Sequence, residues 1–379
     1  MTQEVAIIQR RLTHYRVPLF ETLRVQLAAQ GIRFRLLHGD ASGPERCKDD
    51  SGHLAWAEHL PTHYFLHGHL CWQPFWRQVE DCDLVVMTQE NKLLNNLPML
   101  LHRPAKAPLL AFWGHGENMQ ARRKDCATER FKRWTSHRVD WWFAYTSLSA
   151  GLVEAAGFPS NRMTILNNSV DTARLRLQID QATRRSRAEL RAQFGLGPGP
   201  LGVFIGSLYA EKRIPFLLQA ALKIRALIPG FQLVMAGTGP ERAAVEQAAA
   251  ASGGVICFVG AVHEEAKASL LACANIMLNP GLVGLGILDA FIAGLPIATT
   301  DCGLHSPEIA YLEHRRNGFM TANSMDAFVH DVAAALSDTE SLERMGAAAL
   351  ASADRYTLAA MAENFTTGIR ACLAERAQV

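Results

Sequence analysis

The chain reads as an α/β protein made of two doubly wound domains, and three observations predict this. Short apolar runs ended by glycine or proline recur along the 379 residues. In the C-terminal half they alternate with helical stretches, the grammar of a parallel sheet covered on both faces. The length exceeds one ordinary core, so two domains of ~150–200 residues are expected.

In the N-terminal half the strands are VAIIQ, FRLLHG, LVVMTQ, PLLAFWGHG and WWFAYTS, with long irregular connections after Leu12 and from about Gly39 to Trp76. The N-terminal domain is expected over 1–175. A charged stretch ending in glycine and proline, 176–200, reads as the linker. The C-terminal domain spans 201–360, and a last helix, 361–379, packs back on the N-domain. LGVFIGSL opens the second domain, and Leu217, Ala221, Ile224 and Ile228 mark one face of the helix that follows. FQLVMAG, VICFVG, ANIMLNP and PIATTD are its further strands. Two alanine-rich helices start near Asn323, the first capped by Asn323 with Asp326 three residues on.

A formal charge of +2 without basic tails or acidic blocks argues against nucleic acid as a partner. The eight cysteines are scattered without a C-x-x-C, which fits reduced, mostly buried thiols. His59, His63 and His67 are spaced by four, but Pro61 interrupts them and no metal site is expected. The N-terminus enters a strand directly, with no basic n-region or long apolar stretch, and no apolar run approaches ~18 residues. These features predict a cytoplasmic protein. The stretch 122–142 leaves two readings open. Its basic residues and tryptophans suit peripheral contact with the inner face of a membrane, or they form a solvated helix face beside a buried strand.

Three motifs carry chemistry. NPGLVGLGILDAFIAGLP (279–296) is a strand end, a glycine turn and a helix start, with no acid between Ala266 and Leu288. The exposed amides of Gly284, Leu285 and Gly286 suit a phosphate, and Asp289 lies one turn on, within reach of a ribose. The bland reading is a tight strand-to-helix turn. GSLYAEKR places Gly206 and Ser207 at a strand end, followed by Lys212 and Arg213, a paired cation suited to a departing diphosphate. A solvated charge pair is the alternative. MAGTGPE has two glycines of a dinucleotide fingerprint and lacks the third. After the first strand, His14, Tyr15 and Arg16 either touch acceptor or donor, or simply open the following helix.

The order GSLYAEKR, AGTGPE, FVGAV, VGLGILDAFIAGLP, SPEIAYL and NGF, with TILNNSVDT and FWGHG upstream, resembles family-4 retaining glycosyltransferases of the GT-B fold. The resemblance covers residues from about 110 to 320. It implies two doubly wound Rossmann-like domains facing across a cleft, and a sugar moved from a nucleoside-diphosphate sugar, UDP or GDP sugar foremost, to an acceptor hydroxyl. No metal or further cofactor is implied. Lys212 would stabilise the leaving diphosphate, with Arg213 beside it. Gly206, Ser207, Gly284, Leu285 and Gly286 would meet the donor, and Asp289 the ribose. Amides around Gly260 and Val262 would face the base, and His115 the donor sugar. The acceptor would be a growing polysaccharide, a lipid-linked saccharide or a small metabolite.

Two departures stand out. Ser207 replaces the family's arginine. The first glutamate of the family's pair, eight positions before the second, is absent: counting back from Asp289 reaches Gly281, in a loop about three residues shorter than the family's. Asp301 or Glu308 would take over part of its role. The alternatives are a sugar-nucleotide epimerase of the same fold and a glycosyltransferase-like subunit that binds without catalysis. No signal bears on oligomeric state.

Overall fold

The computed structural model describes residues 2–46, 50–101, 103, 107–116 and 134–376. The chain divides into two units, Met1–Asp171 with Thr357–Val379, and Thr172–Tyr356.

The first unit holds β1 (Gln3–Gln9), β2 (Ile32–His38), β3 (Glu58–His59), β6 (Leu84–Thr88), β7 (Leu109–Gly114), β8 (Trp141–Ala144) and β9 (Met163–Ile165) in one parallel sheet of order β3-β2-β1-β6-β7-β8-β9. A separate hairpin pairs β4 (His63–Phe65) with β5 (Leu70–Trp72) in the connection read as irregular. The strand runs are apolar throughout because alternate residues enter different cores. Val5, Ile7, Val86, Trp113 and Phe143 pack on one face with the helices Val17–Ala29 and Leu358–Arg376, the latter through Met361, Phe365, Ile369 and Cys372. Ala6, Ile8, Met87, Phe112 and Trp142 pack on the other.

Trp141 and Trp142 are therefore core residues of β8, so this end of the 122–142 stretch follows the buried-strand reading. Residues 122–133 lie outside the described residues. Among those described, no helix is long and apolar enough to cross a membrane. Cys71, Cys82, Cys273 and Cys372 are buried free thiols, and Cys257 and Cys302 are half-buried ones.

The second unit is a parallel sheet of β10 (Leu201–Ile205), β11 (Gln232–Ala236), β12 (Ile256–Phe258), β13 (Ile276–Leu278), β14 (Ile297–Thr300) and β15 (Gly318–Thr321), in the order β12-β11-β10-β13-β14-β15. The order reverses at β10, so ligands are expected beyond the carboxyl ends of β10 and β13. Leu217, Ala221 and Ile224 of the helix Ile214–Leu227 are buried as their spacing predicts, whereas Ile228 lies past the helix end in extended backbone.

The helices Ala173–Ala182 and Arg187–Ala192 fall on or across the stretch expected to be a linker. The first buries Leu175, Ile179 and Ala182, and the second is anchored by Arg191, which is buried and donates to the carbonyls of Cys273, Pro198 and Gly199 and to Asn275 Oδ1 at 2.7–3.1 Å. Burial alone would make that charge costly, and the ring of acceptors offsets it. Arg191→Met is expected to strip these acceptors of their donor and cost about 3 kcal/mol of stability, read as a lower urea midpoint at an unchanged slope.

The helix Met325–Ser337 is capped by Ser324, whose hydroxyl accepts from the Ala327 N–H at 3.2 Å, and not by Asn323. Asn323 is spent elsewhere: its Oδ1 accepts from Arg213 Nη1 at 2.7 Å.

Candidate active site

Three loops meet beyond the carboxyl ends of β10, β13 and β14: residues 206–213, 279–286 and 300–306. The first runs against the AGTGPE loop. Gly206 N–H donates to the Ala236 carbonyl at 3.0 Å and Leu208 N–H to that of Thr238 at 2.8 Å. A Cβ on Gly237 would lie 1.9 Å from the Gly206 carbonyl oxygen. The G-x-G of AGTGPE thus serves this close backbone approach, which explains a fingerprint without its third glycine.

The loop then forms a 3-10 turn, Ala210–Lys212, that ends on Arg213 in left-handed backbone at φ +56°. This pivot sends two cations into the second loop. Lys212 Nζ donates to the Leu282 carbonyl at 2.5 Å and lies 5.8 Å from the centre of the Tyr209 ring. The residue is half-buried with its ammonium as the deeper end, and burial alone brings that ammonium down to about 8. Arg213 Nη1 donates to the Pro280 carbonyl at 3.2 Å and to Thr300 Oγ1 at 2.7 Å, with its plane over Phe216 at 4.2 Å. Among the described residues the Lys212 ammonium therefore has one hydrogen-bond partner, a carbonyl, and no carboxylate. Arg213 clamps the loops that carry it.

The glycine turn is pinned at two residues and open at the next three. The Leu282 N–H donates to the Glu211 carbonyl at 2.8 Å, and its carbonyl takes Lys212 together with Asn279 Nδ2 at 3.1 Å. Val283 N–H donates to His305 Nδ1 at 3.2 Å, and its carbonyl accepts from Ser306 N–H at 2.9 Å. His305 itself is buried, with Nε2 donating to the Thr300 carbonyl at 2.8 Å, which sets its tautomer. The amides of Gly284, Leu285 and Gly286 make no hydrogen bond among the described residues, and no side chain caps the helix Gly286–Ile292 that follows. Gly284 and Leu285 are half-buried and Gly286 exposed, so the unspent donors are the part of the turn that faces water.

Gly281, Gly284 and Gly286 do not adopt left-handed backbone. Only Gly281 is required by space: a Cβ there would lie 2.3 Å from the Glu211 carbonyl oxygen and 2.5 Å from the Lys212 carbonyl carbon. Nothing lies within 4 Å of a Cβ on Gly286.

The other expected residues divide as follows. Ser207 is exposed at the end of β10. Asp289, expected at a ribose, is held by Lys267 Nζ at 2.8 Å. Val259 N–H is spent on the Met235 carbonyl, while those of Gly260 and Val262 make no hydrogen bond among the described residues; Gly260 turns the chain at φ +73°. Asp301 is exposed and Glu308 is buried in a 3-10 turn. His115, Tyr15, His14 and Arg16 belong to the first unit. His115 is exposed at the end of β7 with its ring 4.5 Å from that of Tyr145. His14 and Tyr15 are exposed, whereas Arg16 is buried and donates to Asn168 Oδ1.

Sequence reasoning missed Asn279, His305 and Ser306, which hold the turn. The visible signal was a polar residue opening the glycine turn and an H-S pair before the Pro-Glu of SPEIAYL. Among the described residues no group of three His, Cys, Asp or Glu side chains is placed to hold a metal ion.

Residues 199–338 match the family described as "Glycosyl transferases group 1". This segment is a group 1 glycosyltransferase domain. Curated relatives are named as transferases of sugars. One is an alpha-D-kanosaminyltransferase of Streptomyces kanamyceticus, 28% identical over 127 residues, which are 32% of this chain and 33% of that protein. Another is a GDP-mannose-dependent alpha-(1-6)-phosphatidylinositol monomannoside mannosyltransferase of Mycobacterium tuberculosis, 30% identical over 203 residues, 50% of this chain and 51% of that protein. The chain thus spans about a third to a half of the length of these relatives.

Solved structures match along almost all of it. Anabaena Alr3699/HepE in complex with UDP superposes at a TM-score of 0.69 with 15% identity, covering 97% of this chain and 100% of that one. Sucrose-phosphate synthase from Thermosynechococcus elongatus superposes at 0.70 with 14% identity, covering 98% and 100%. At that identity the likeness is one of fold. The glycosyltransferase domain and its partner unit are the two Rossmann-like sheets of a GT-B protein.

Proposed function

We propose that the chain is a hexosyltransferase-type enzyme that moves a sugar from a nucleoside-diphosphate sugar to an acceptor hydroxyl with retention at the anomeric carbon. The observation that carries this reading is the Lys212 ammonium, buried without a carboxylate, beside the unspent amides of Gly284, Leu285 and Gly286. A diphosphate supplies the charge such a site lacks, and its charge grows as it departs. In this reading the acceptor oxygen bonds to the anomeric carbon as the bond from that carbon to the β-phosphate oxygen breaks. The acceptor proton passes to the departing phosphate oxygen. Lys212 and the amides hold the leaving group, and Arg213 acts through them by fixing the loops. His115 is assigned to the donor sugar and the amides of Gly260 and Val262 to the base. Asp289 reaches a ribose only by sharing its bond to Lys267.

The relatives include a GDP-mannose-dependent enzyme, and the fold relative Alr3699/HepE binds UDP and UDP-glucose. UDP and GDP sugars are accordingly the donors proposed, for a cytoplasmic step of polysaccharide, lipid-linked saccharide or small-metabolite glycosylation. The test is thermal stabilisation of the purified chain by UDP, GDP, ADP, dTDP and NAD, with Lys212→Ala beside it. At ~100 times its dissociation constant, a nucleotide bound only to the folded state adds about 2.7 kcal/mol. One nucleoside diphosphate is expected to act, equally with magnesium and with EDTA, and to lose its effect in the variant. A response to NAD alone would refute the transferase reading.

A further inference from the structure

Arg16 is the one residue of the acceptor-side trio that the structure buries, at 6% exposure. Other enclosed arginines of the first unit are met by carboxylates: Arg10 by Glu45 at 2.7 Å, and Arg35 by Glu4 at 2.9 Å and Glu58 at 2.6 Å. Arg16 is not. Its Nη2 donates to Asn168 Oδ1 at 2.8 Å and its Nη1 to the Met361 sulfur at 3.9 Å, with no carboxylate in ion-pair range among the described residues. Rings complete the surroundings, with Trp113 at 5.1 Å, Tyr15 at 5.3 Å and Tyr145 at 5.8 Å from the guanidinium carbon.

A second observation falls on the same spot. The indole N–H of Trp113 is buried and has no hydrogen-bond acceptor. A guanidinium short of acceptors and an indole donor with none are costly in a place where water is scarce. Their position is also particular. Arg16 follows β1, Trp113 is the last residue but one of β7, Tyr145 follows β8 and Asn168 follows β9. All four stand at the carboxyl ends of a parallel sheet, where such sheets take ligands.

We propose that this cluster binds an oxyanion, a carboxylate or phosphate, carried by the acceptor. Arg16 presents its planar fork to two anion oxygens, Asn168 fixes the fork, and the aromatic rings exclude water and favour the cation. The word acceptor rests on the proposed glycosyl transfer, whereas the anion site rests on the first unit alone. Arg16 here is a binding residue and not a structural bracket for Asn168.

The test uses Asn168→Asp, which puts a carboxylate 2.8 Å from Nη2 and so supplies the missing counter-ion from within. A bracket would be kept or strengthened by that change, while an anion site would be filled by it. The purified chain is titrated with glycerol 1-phosphate, glycerate and neutral glycerol, and binding is read by calorimetry and by melting temperature. The expected result is binding of one or both anions and none of glycerol, with the stronger anion naming the source. Affinity is expected to fall at least tenfold in Asn168→Asp and in Arg16→Lys, which keeps the charge and loses the fork. It should persist in Lys212→Ala, which separates this site from the second unit's. Asn168→Asp should still fold and still respond to the nucleoside diphosphate. Unchanged anion binding in Asn168→Asp, its loss in Lys212→Ala, or equal binding of glycerol would overturn the proposal. Anion binding without any nucleotide response would refute the transferase reading and leave this site standing.

Discussion

Lys212→Met is expected to raise the stability of the ligand-free protein and to remove its response to nucleoside diphosphates. The cause is the same in both cases. Burial brings the Lys212 ammonium down to about 8 from its ordinary 10.5, with no carboxylate to offset the loss of water. The unfolded chain holds this proton up to its ordinary range, and the folded chain releases it near 8. Between those values the unfolded state binds more protons, so stability rises with pH across that window. Below pH 8 the whole cost is present. Methionine fills the same space without the charge, so the variant should gain up to about 3 kcal/mol at pH 7. That gain should fade as pH rises towards 10.5. Donor affinity should drop roughly 100-fold or more, the scale of leaving a buried anion without its cation. Melting curves at pH 7 and pH 10 check the first half, and calorimetric titration with the active nucleotide checks the second. Wild-type binding at pH 8.5–9 should also take up protons, because the diphosphate pulls the ammonium back towards its ordinary range. A destabilised Lys212→Met at pH 7 would mean that the bond to Leu282 outweighs desolvation.

Gly281→Ala is the second large effect. The added methyl would meet the backbone of Glu211 and Lys212 at 2.3–2.6 Å, and neither peptide can step aside as a side chain end does. The loops must separate, breaking the bond from Leu282 N–H to the Glu211 carbonyl and moving Lys212 away from Leu282. A loss of about 2–4 kcal/mol is expected, together with the nucleotide response. Gly286→Ala is the control. Space is open there and the backbone is ordinary, so its stability should stay within about 1 kcal/mol of the parent. Urea midpoints of the two variants decide the matter: equal midpoints would refute the close-approach account.

Most of the fold was legible in the sequence because its signals are local. Apolar runs such as VAIIQ and FQLVMAG, and the spacing of Leu217, Ala221 and Ile224, state which residues avoid water within a few positions of each other. The order of glycine-ended strands then sufficed for the family, and it placed Lys212 and the glycine turn in one unit. The short strands β3, β9 and β15 and the two helices of the expected linker escaped, because their stability comes from packing more than from local pattern.

What the sequence by itself determined is the alternation of strand and helix, the two Rossmann-like sheets, the group 1 glycosyltransferase signature and the types of residue at the candidate site. What only the tertiary structure decided is their pairing. Lys212 finds its carbonyl 70 residues away, Arg213 its threonine 87 away, and Arg16 its asparagine 152 away. It also decided that Asp289 is spent on Lys267, that Asn323 serves Arg213 and leaves the helix cap to Ser324, and that Arg16 is buried without a carboxylate. The physical reason is that hydrophobic periodicity is written along the chain, whereas desolvation and hydrogen-bond satisfaction depend on which distant groups the fold brings within about 3 Å.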